Sequence, residues 1–150
     1  MEIIPVERVS DGIAIRLPES VVETLQTVPE LLESVDRDEP AGRRLAASVY
    51  LDDPIADLEW WSLMEDEVTA SRNADRSAFI EVMASAARGV VASVDEAEAI
   101  LRVLAEARLV LAARIGLQRE EDLDSLEGPA KDAMSMLAVL QELLIGVLDP

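Results

Sequence analysis

Residues 101–117, LRVLAEARLVLAARIGL, follow a helical period and are apolar around almost the whole helix circumference. A helix of that kind must be enclosed by other elements, which makes residues 96–115 the expected central helix. The chain of 150 residues is long enough to build a core without staples. Half of its residues are apolar but only 3% are aromatic, so the core has to come from Leu, Val, Ile, Ala and Met. That mixture favours helices packed on helices. The expected fold is all-α: a compact helical bundle of about five to six helices in a single domain, 1–150. A short N-terminal β-hairpin occupies 1–17 and the helices occupy 18–150.

The same segment carries a permanent cation. At about 100° per residue, Leu101, Leu104, Leu111, Ala112 and Ile115 share roughly one quadrant, and Arg108 points into the middle of them. Arg102 and Glu106 fall on the opposite, wetter side, and Arg114 lies on a flank between Val103 and Ala107. A guanidinium does not lose its proton on burial, so an interior Arg108 needs a carboxylate and backbone carbonyls. Arg108 and Arg114 are therefore candidates for a structural ion pair, or for an anion site at the bottom of a cleft.

Along the chain, IIPVERVSDGIAIRL alternates apolar and polar residues around Asp11-Gly12, a hairpin signal, with Pro5 placing the first strand at an edge. From Pro18 the period becomes helical, and Pro29 predicts a kink or two short helices. Residues 36–42 read as a loop, followed by a short helix ending near Tyr50. Asp53 as N-cap and Pro54 at the first helical position start the next helix. It runs to about Ser71, with or without a kink before continuing towards a C-cap at Gly89, and Phe79, Met83, Ala86 and Val90 form one stripe. Asp95 and Glu98 have capping-box spacing for the central helix, which ends at Gly116. Residues 117–128 form an acidic connector, and Gly128-Pro129 opens a last helix through Leu148.

Composition narrows the chemistry. With no cysteine there is no disulfide, thiolate nucleophile or zinc–sulfur site, and with no histidine there is no catalytic triad or imidazole ligand. Acids outnumber bases 31 to 13, for a net charge of −18, and Lys131 is the only lysine. Such a surface repels nucleic-acid backbones and anionic lipid, and suits a partner protein with a basic surface. The N-terminus lacks the form of a signal peptide, and the longest charge-free run, 133–141, is about half a membrane span. The expectation is a cytoplasmic protein with no catalytic set, no cofactor and no metal.

Two further features are candidate sites. Trp60 and Trp61 are adjacent, so on a helix they diverge by about 100° and cannot both face one core. One or both could form a partner interface or a homodimer contact. Asp57, Glu59, Glu65, Asp66 and Glu67 crowd one helix, with Asp95, Glu96 and Glu98 on another. Carboxylates from two helices are what a magnesium-dependent hydrolase needs, but these follow no paired spacing and read as a solvated face.

YLDDP, the downstream EWW, the central helix with Arg108-Leu109 and Arg114-Ile115-Gly116, and the closing Leu140-Gln141-Glu142 together resemble the actinobacterial domain-of-unknown-function family 2017. SDGIAIRLP resembles the family's opening. The resemblance spans nearly the whole chain. It departs where tryptophan and tyrosine give way to Ile100, Met134, Met136 and Val139, and where an asparagine-aspartate pair becomes Ala105-Glu106. It implies a small helical protein, some of whose relatives are described as oxidative-stress regulators acting through protein contacts. The functional expectation is a non-enzymatic interaction module, a regulator or adaptor. The alternatives are a carboxylate-based magnesium-dependent hydrolase and a regulator acting on DNA directly.

Overall fold

The computed structural model describes residues 4–46, 49, 51–116 and 128–149. Among these the elements run β1 (Val6–Val9), β2 (Gly12–Ile15), α1 (Glu19–Leu25), α2 (Val28–Glu33), α3 (Pro40–Leu45), α4 (Pro54–Met83), β3 (Val90–Ala92), α5 (Val94–Arg114) and α6 (Pro129–Leu148). The protein is mostly helical, but the expected all-α class needs correction: β1, β2 and β3 form a three-stranded antiparallel sheet.

The hairpin pairs Val6 with Ile15 and Val9 with Gly12, and β1 is an edge strand, as Pro5 implies. Val6, Ile13 and Ile15 face the core while Glu7 and Ala14 take the other side, the alternation a one-sided sheet requires, and Arg8, on the Val6 side, donates from Nε to the Val147 carbonyl of α6 at 2.9 Å. Gly12 has φ +148°, and β3 adds a second demand on it. A Cβ there would lie 2.2 Å from the carbonyl oxygen of Ala92. β3 is not legible in the sequence because three residues are too few to show a period. The stripe continued towards Val90 as a helix instead ends at Met83, and Gly89, with φ +104°, turns the chain into the strand.

Pro29 separates α1 from α2, sitting in the first turn of α2 where its missing N–H is no loss. Residues 40–42, read as loop, already belong to α3, which starts on Pro40 by the same logic. Gly42 lets this helix press on the preceding loop, since a Cβ would lie 2.1 Å from the Asp36 carbonyl oxygen. Tyr50 and the acidic connector 117–127 lie outside the described residues. Asp53 caps α4 through a hydrogen bond from the Ala56 backbone N–H, and the helix runs 30 residues without interruption, about 45 Å.

The capping box of α5 sits two residues earlier than expected. Ser93 Oγ accepts from the Glu96 backbone N–H and the Glu96 carboxylate accepts from the Ser93 N–H, each at 3.0 Å. The strand β3 runs to Ala92, so the helix can begin only after Ser93, and Asp95 falls inside its first turn. α5 is the central helix: it touches α2, α3, α4, α6, β2 and β3. Its buried arc is Ala97, Ile100, Val103, Leu104, Ala107 and Val110. That arc is turned by roughly a quarter of the wheel from the expected one, because the sheet and α4 cover a side read as wet. Around it Ile13, Leu25, Phe79, Met83, Leu137 and Leu144 close a continuous core. No described helix is long and apolar enough to cross a membrane.

Ser93→Ala removes one half of the α5 cap and should lower unfolding free energy by about 1 kcal/mol, read by urea denaturation. A cost near zero would mean that the cap does not contribute to holding the central helix.

Candidate functional site

α4 divides into two unlike parts. Its buried residues are Asp75, Phe79, Val82 and Met83, all in the last third, and no residue from Pro54 to Ala74 is buried. At the division, α4 is tied to α5 by charge. Arg102 donates to both Asp75 carboxylate oxygens, from Nε at 2.8 Å and Nη2 at 2.9 Å. One turn further along α5, the Glu106 carboxylate accepts from Arg76 Nη2 at 3.2 Å. Acid on α4 meets base on α5, and the adjacent pair reverses the signs. The Asp75 carboxylate, accepting both hydrogen bonds, raises the Arg102 pKa above its ordinary value.

The sequence placed Arg102 and Glu106 on the wet side of α5. Arg102 does stay open to water, its side chain 56% exposed, whereas Glu106 is closed in beside Arg76 with 13% exposed. The sign of that closure was on α4, where Asp75 shares the helical stripe of Phe79 and Val82, an acid among core residues.

Arg108 itself is half-buried at the flank of the apolar arc, and the carboxylate expected beside it is replaced by a neutral amide. Its Nη1 donates to Gln141 Oε1 on α6 at 2.7 Å, and its buried Nε has no acceptor among the described residues. The buried residues of α6 are Met134, Leu137, Leu140 and Leu144, and Gln141 beside them supplies the acceptor. Arg114 finds carboxylate: its Nε donates to Glu39 at 3.0 Å and its Nη2 reaches the Ser34 carbonyl at 3.3 Å. The end of α5 is thereby tied to the α2–α3 connection. The Arg114 hydrogen bond, and then one from the Asp36 N–H, hold the Glu39 carboxyl below its ordinary pKa.

Trp60 and Trp61 pack edge to face, ring centroids 5.1 Å apart at 85°, both half-buried on the N-terminal part of α4. Beside them is an apolar set that sequence reasoning passed over: Leu51, Ile55, Leu58 and Leu63 are 85%, 71%, 70% and 80% exposed. Ile55 and Leu58 are three residues apart and Leu63 lies on the same outward half of the helix, with Glu59, Ser62 and Asp66 interleaved. The signal was there as apolar residues recurring on a face that no second stripe partners. Single exposed apolar residues are ordinary, but four within thirteen residues form a patch of the sort associated with contact surfaces. Residues 51–71 also hold seven acids and no base: Asp52, Asp53, Asp57, Glu59, Glu65, Asp66 and Glu67. Among the described residues no three carboxylates gather closely enough to hold a metal ion.

The chain matches the family model described as Domain of unknown function (DUF2017) over residues 4–148, and it belongs to that family. No curated protein and no solved structure matches it. Two of the short motifs behind the family resemblance, Arg108-Leu109 and Leu140-Gln141-Glu142, meet in the hydrogen bond between Arg108 and Gln141.

Breaking the α4–α5 pair from one side should be costly. Arg102→Met strands the Asp75 carboxylate, whose side chain is only 10% exposed. Because water reaches Arg102, the expected loss is about 2 kcal/mol, with Arg102→Met plus Asp75→Leu recovering most of it in urea unfolding. If the single and double variants were equally destabilised, the pair would not be the source of the loss.

The Glu39 contact has a pH signature. Its lowered folded-state pKa contributes stability that is complete above the ordinary glutamate value of about 4.3 and is lost as pH falls through the lower folded value. Glu39→Gln should therefore narrow the stability gap between pH 6 and pH 3 relative to the unsubstituted chain, as read by unfolding at both values. An unchanged gap would contradict the assignment.

Proposed function

We propose that this DUF2017 protein is an interaction module, and that the outer face of α4 between Ile55 and Asp66 docks a basic, amphipathic segment of another protein. The observation that carries this reading is the pairing of exposure with charge. The first two thirds of α4 contribute nothing to the core, yet present Ile55, Leu58 and Leu63 to solvent among acids, with no base until Arg72. Apolar residues at helical spacing supply the desolvation energy of helix-in-groove or helix-on-helix docking. The surrounding carboxylates select a cationic partner and speed encounter. A face made only to keep the protein soluble has no use for three aliphatic side chains.

The role is that of a regulator or adaptor working by contact. An oxidative-stress role of the kind the family resemblance implies would run through such a contact rather than a thiol switch, because the chain has no cysteine. A carboxylate-based hydrolase gains no support from the scattered acids.

Trp60 and Trp61 are the only tryptophans and sit beside this face, so their fluorescence reports on it. A synthetic amphipathic helix with leucines on one side and lysines and arginines on the other should shift that fluorescence saturably, more weakly at 500 mM than at 50 mM salt. A glutamate counterpart should not. The triple variant Ile55→Ser, Leu58→Ser, Leu63→Ser should keep its circular dichroism, since exposed sites change stability by about 0.5 kcal/mol or less each, and should lose the binding. Equal binding by the triple variant, or none by the parent, would overturn the reading. A concentration-dependent dimer in sedimentation, abolished by the same three substitutions, would assign the face to a second copy instead and overturn the basic-partner reading.

A further inference from the structure

The opposite side of α4 carries a different chemistry. Between it and α2 and α3 lies a cavity of about 300 Å³, at the small end of the range for small-molecule sites. Three of the chain's twelve arginines line it, Arg37, Arg72 and Arg76, against Glu33 and Glu65. Glu65 pairs with Arg37 and Glu106 with Arg76, which leaves Arg72 as the lining guanidinium with no carboxylate partner among the described residues. We propose that this cavity is a binding site for a small molecule bearing a carboxylate or phosphate group, held by Arg72, Arg76 and the indole N–H of Trp61. The proposal is independent of the outer face of α4.

Unmatched donors make the case beyond charge alone. Trp61 and Arg76 both line the cavity, and Trp61 Nε1 and Arg76 Nε are buried with no hydrogen-bond partner among the described residues. Indole and guanidinium only donate, so whatever satisfies them must accept. Leaving such donors unmatched is unfavourable; both nitrogens are closed to solvent, so a ligand with several acceptor oxygens meets them only as the Trp61 and Arg76 side chains turn towards the cavity. The arginines are also held in place before any ligand arrives. Arg72 Nη2 donates to the Leu45 carbonyl at 2.6 Å, Arg76 Nη2 to Glu106 at 3.2 Å, and Arg37 pairs with Glu65. Guanidinium groups fixed in this way lose little freedom on binding an anion, and their planar forks suit carboxylate and phosphate oxygens.

Trp61 makes the site observable. In a ¹⁵N-labelled full chain, the indole resonance of Trp61, assigned with Trp60→Phe and Trp61→Phe, is followed during titration with sodium phosphate, with sodium malonate and with sodium chloride at matched ionic strength. The expected result is a saturable shift of that resonance with phosphate, malonate or both, and none with chloride. Response to one alone identifies the preferred head group. Trp61→Phe keeps an aromatic ring, though a smaller one, and removes the donor, and should weaken affinity at least about tenfold by calorimetry. Arg72→Gln should weaken it further, and if that variant fails to fold, Trp61→Phe alone decides. No shift at 50 mM of either anion would mean that water satisfies these donors and would overturn the proposal. So would binding that Trp61→Phe and a folded Arg72→Gln leave unchanged.

Discussion

Asp75 with Arg102, and Arg76 with Glu106, hold α4 against α5 where the long helix leaves the core. Ion pairs of this kind are weak contributors to net stability, since an apolar pair of similar volume packs as well. Their consequence is directional. Opposite signs on neighbouring residues of α4 meet opposite signs one turn apart on α5, and sliding or rotating either helix separates both pairs. Below this clamp α4 is ordinary core, with Phe79, Val82 and Met83 sealed against α5. Above it the helix is free of core duty, and both candidate surfaces lie there.

That division explains how a chain with so many acids offers two proposed sites of opposite character. Glu59 and Asp66 stand on the outward side, where water screens them and where aliphatic side chains stand among them, while Glu65 lines the cavity and pairs with Arg37. The arginines that begin at Arg72 turn inward, towards Leu45, Glu106 and the cavity. One helix thus presents an acidic and apolar face to its surroundings and a cationic, donor-rich face to the interior. Trp61 stands between them, lining the cavity on one side and the cleft of Leu51 and Leu58 on the other.

What could be read from residues alone follows from which forces are local. The Asp53-Pro54 start of α4, the break at Pro29, the hairpin around Gly12 and the Gly128-Pro129 start of α6 are set by backbone chemistry within a few residues, and each stands where that chemistry puts it. The strand β3 and the side of α5 that is buried depend on partners more than twenty residues away. A wheel drawn for one helix cannot say which neighbour covers it, so Glu106 was read as wet along with Arg102, which is, and Arg108 was assigned a carboxylate. For the sites, Trp60 and Trp61 pointed to the stretch of α4 that carries the proposed docking face. The outward aliphatic residues and the inward arginines became distinguishable only once the clamp fixed the rotation of the helix. Membership of the DUF2017 family assigns the chain no chemistry.

Amide hydrogen exchange along α4 tests the division most directly, because protection reports how far each hydrogen bond is shared with the global fold. Amides from about 76 to 83 should exchange only through unfolding of the whole core, at rates matching those of 100–110 in α5. Amides from about 58 to 70 should exchange orders of magnitude faster, through local opening that leaves the core intact. Uniform protection over all 30 residues of the helix would contradict the account, since it would make the acidic half as much a part of the core as the half beyond Asp75.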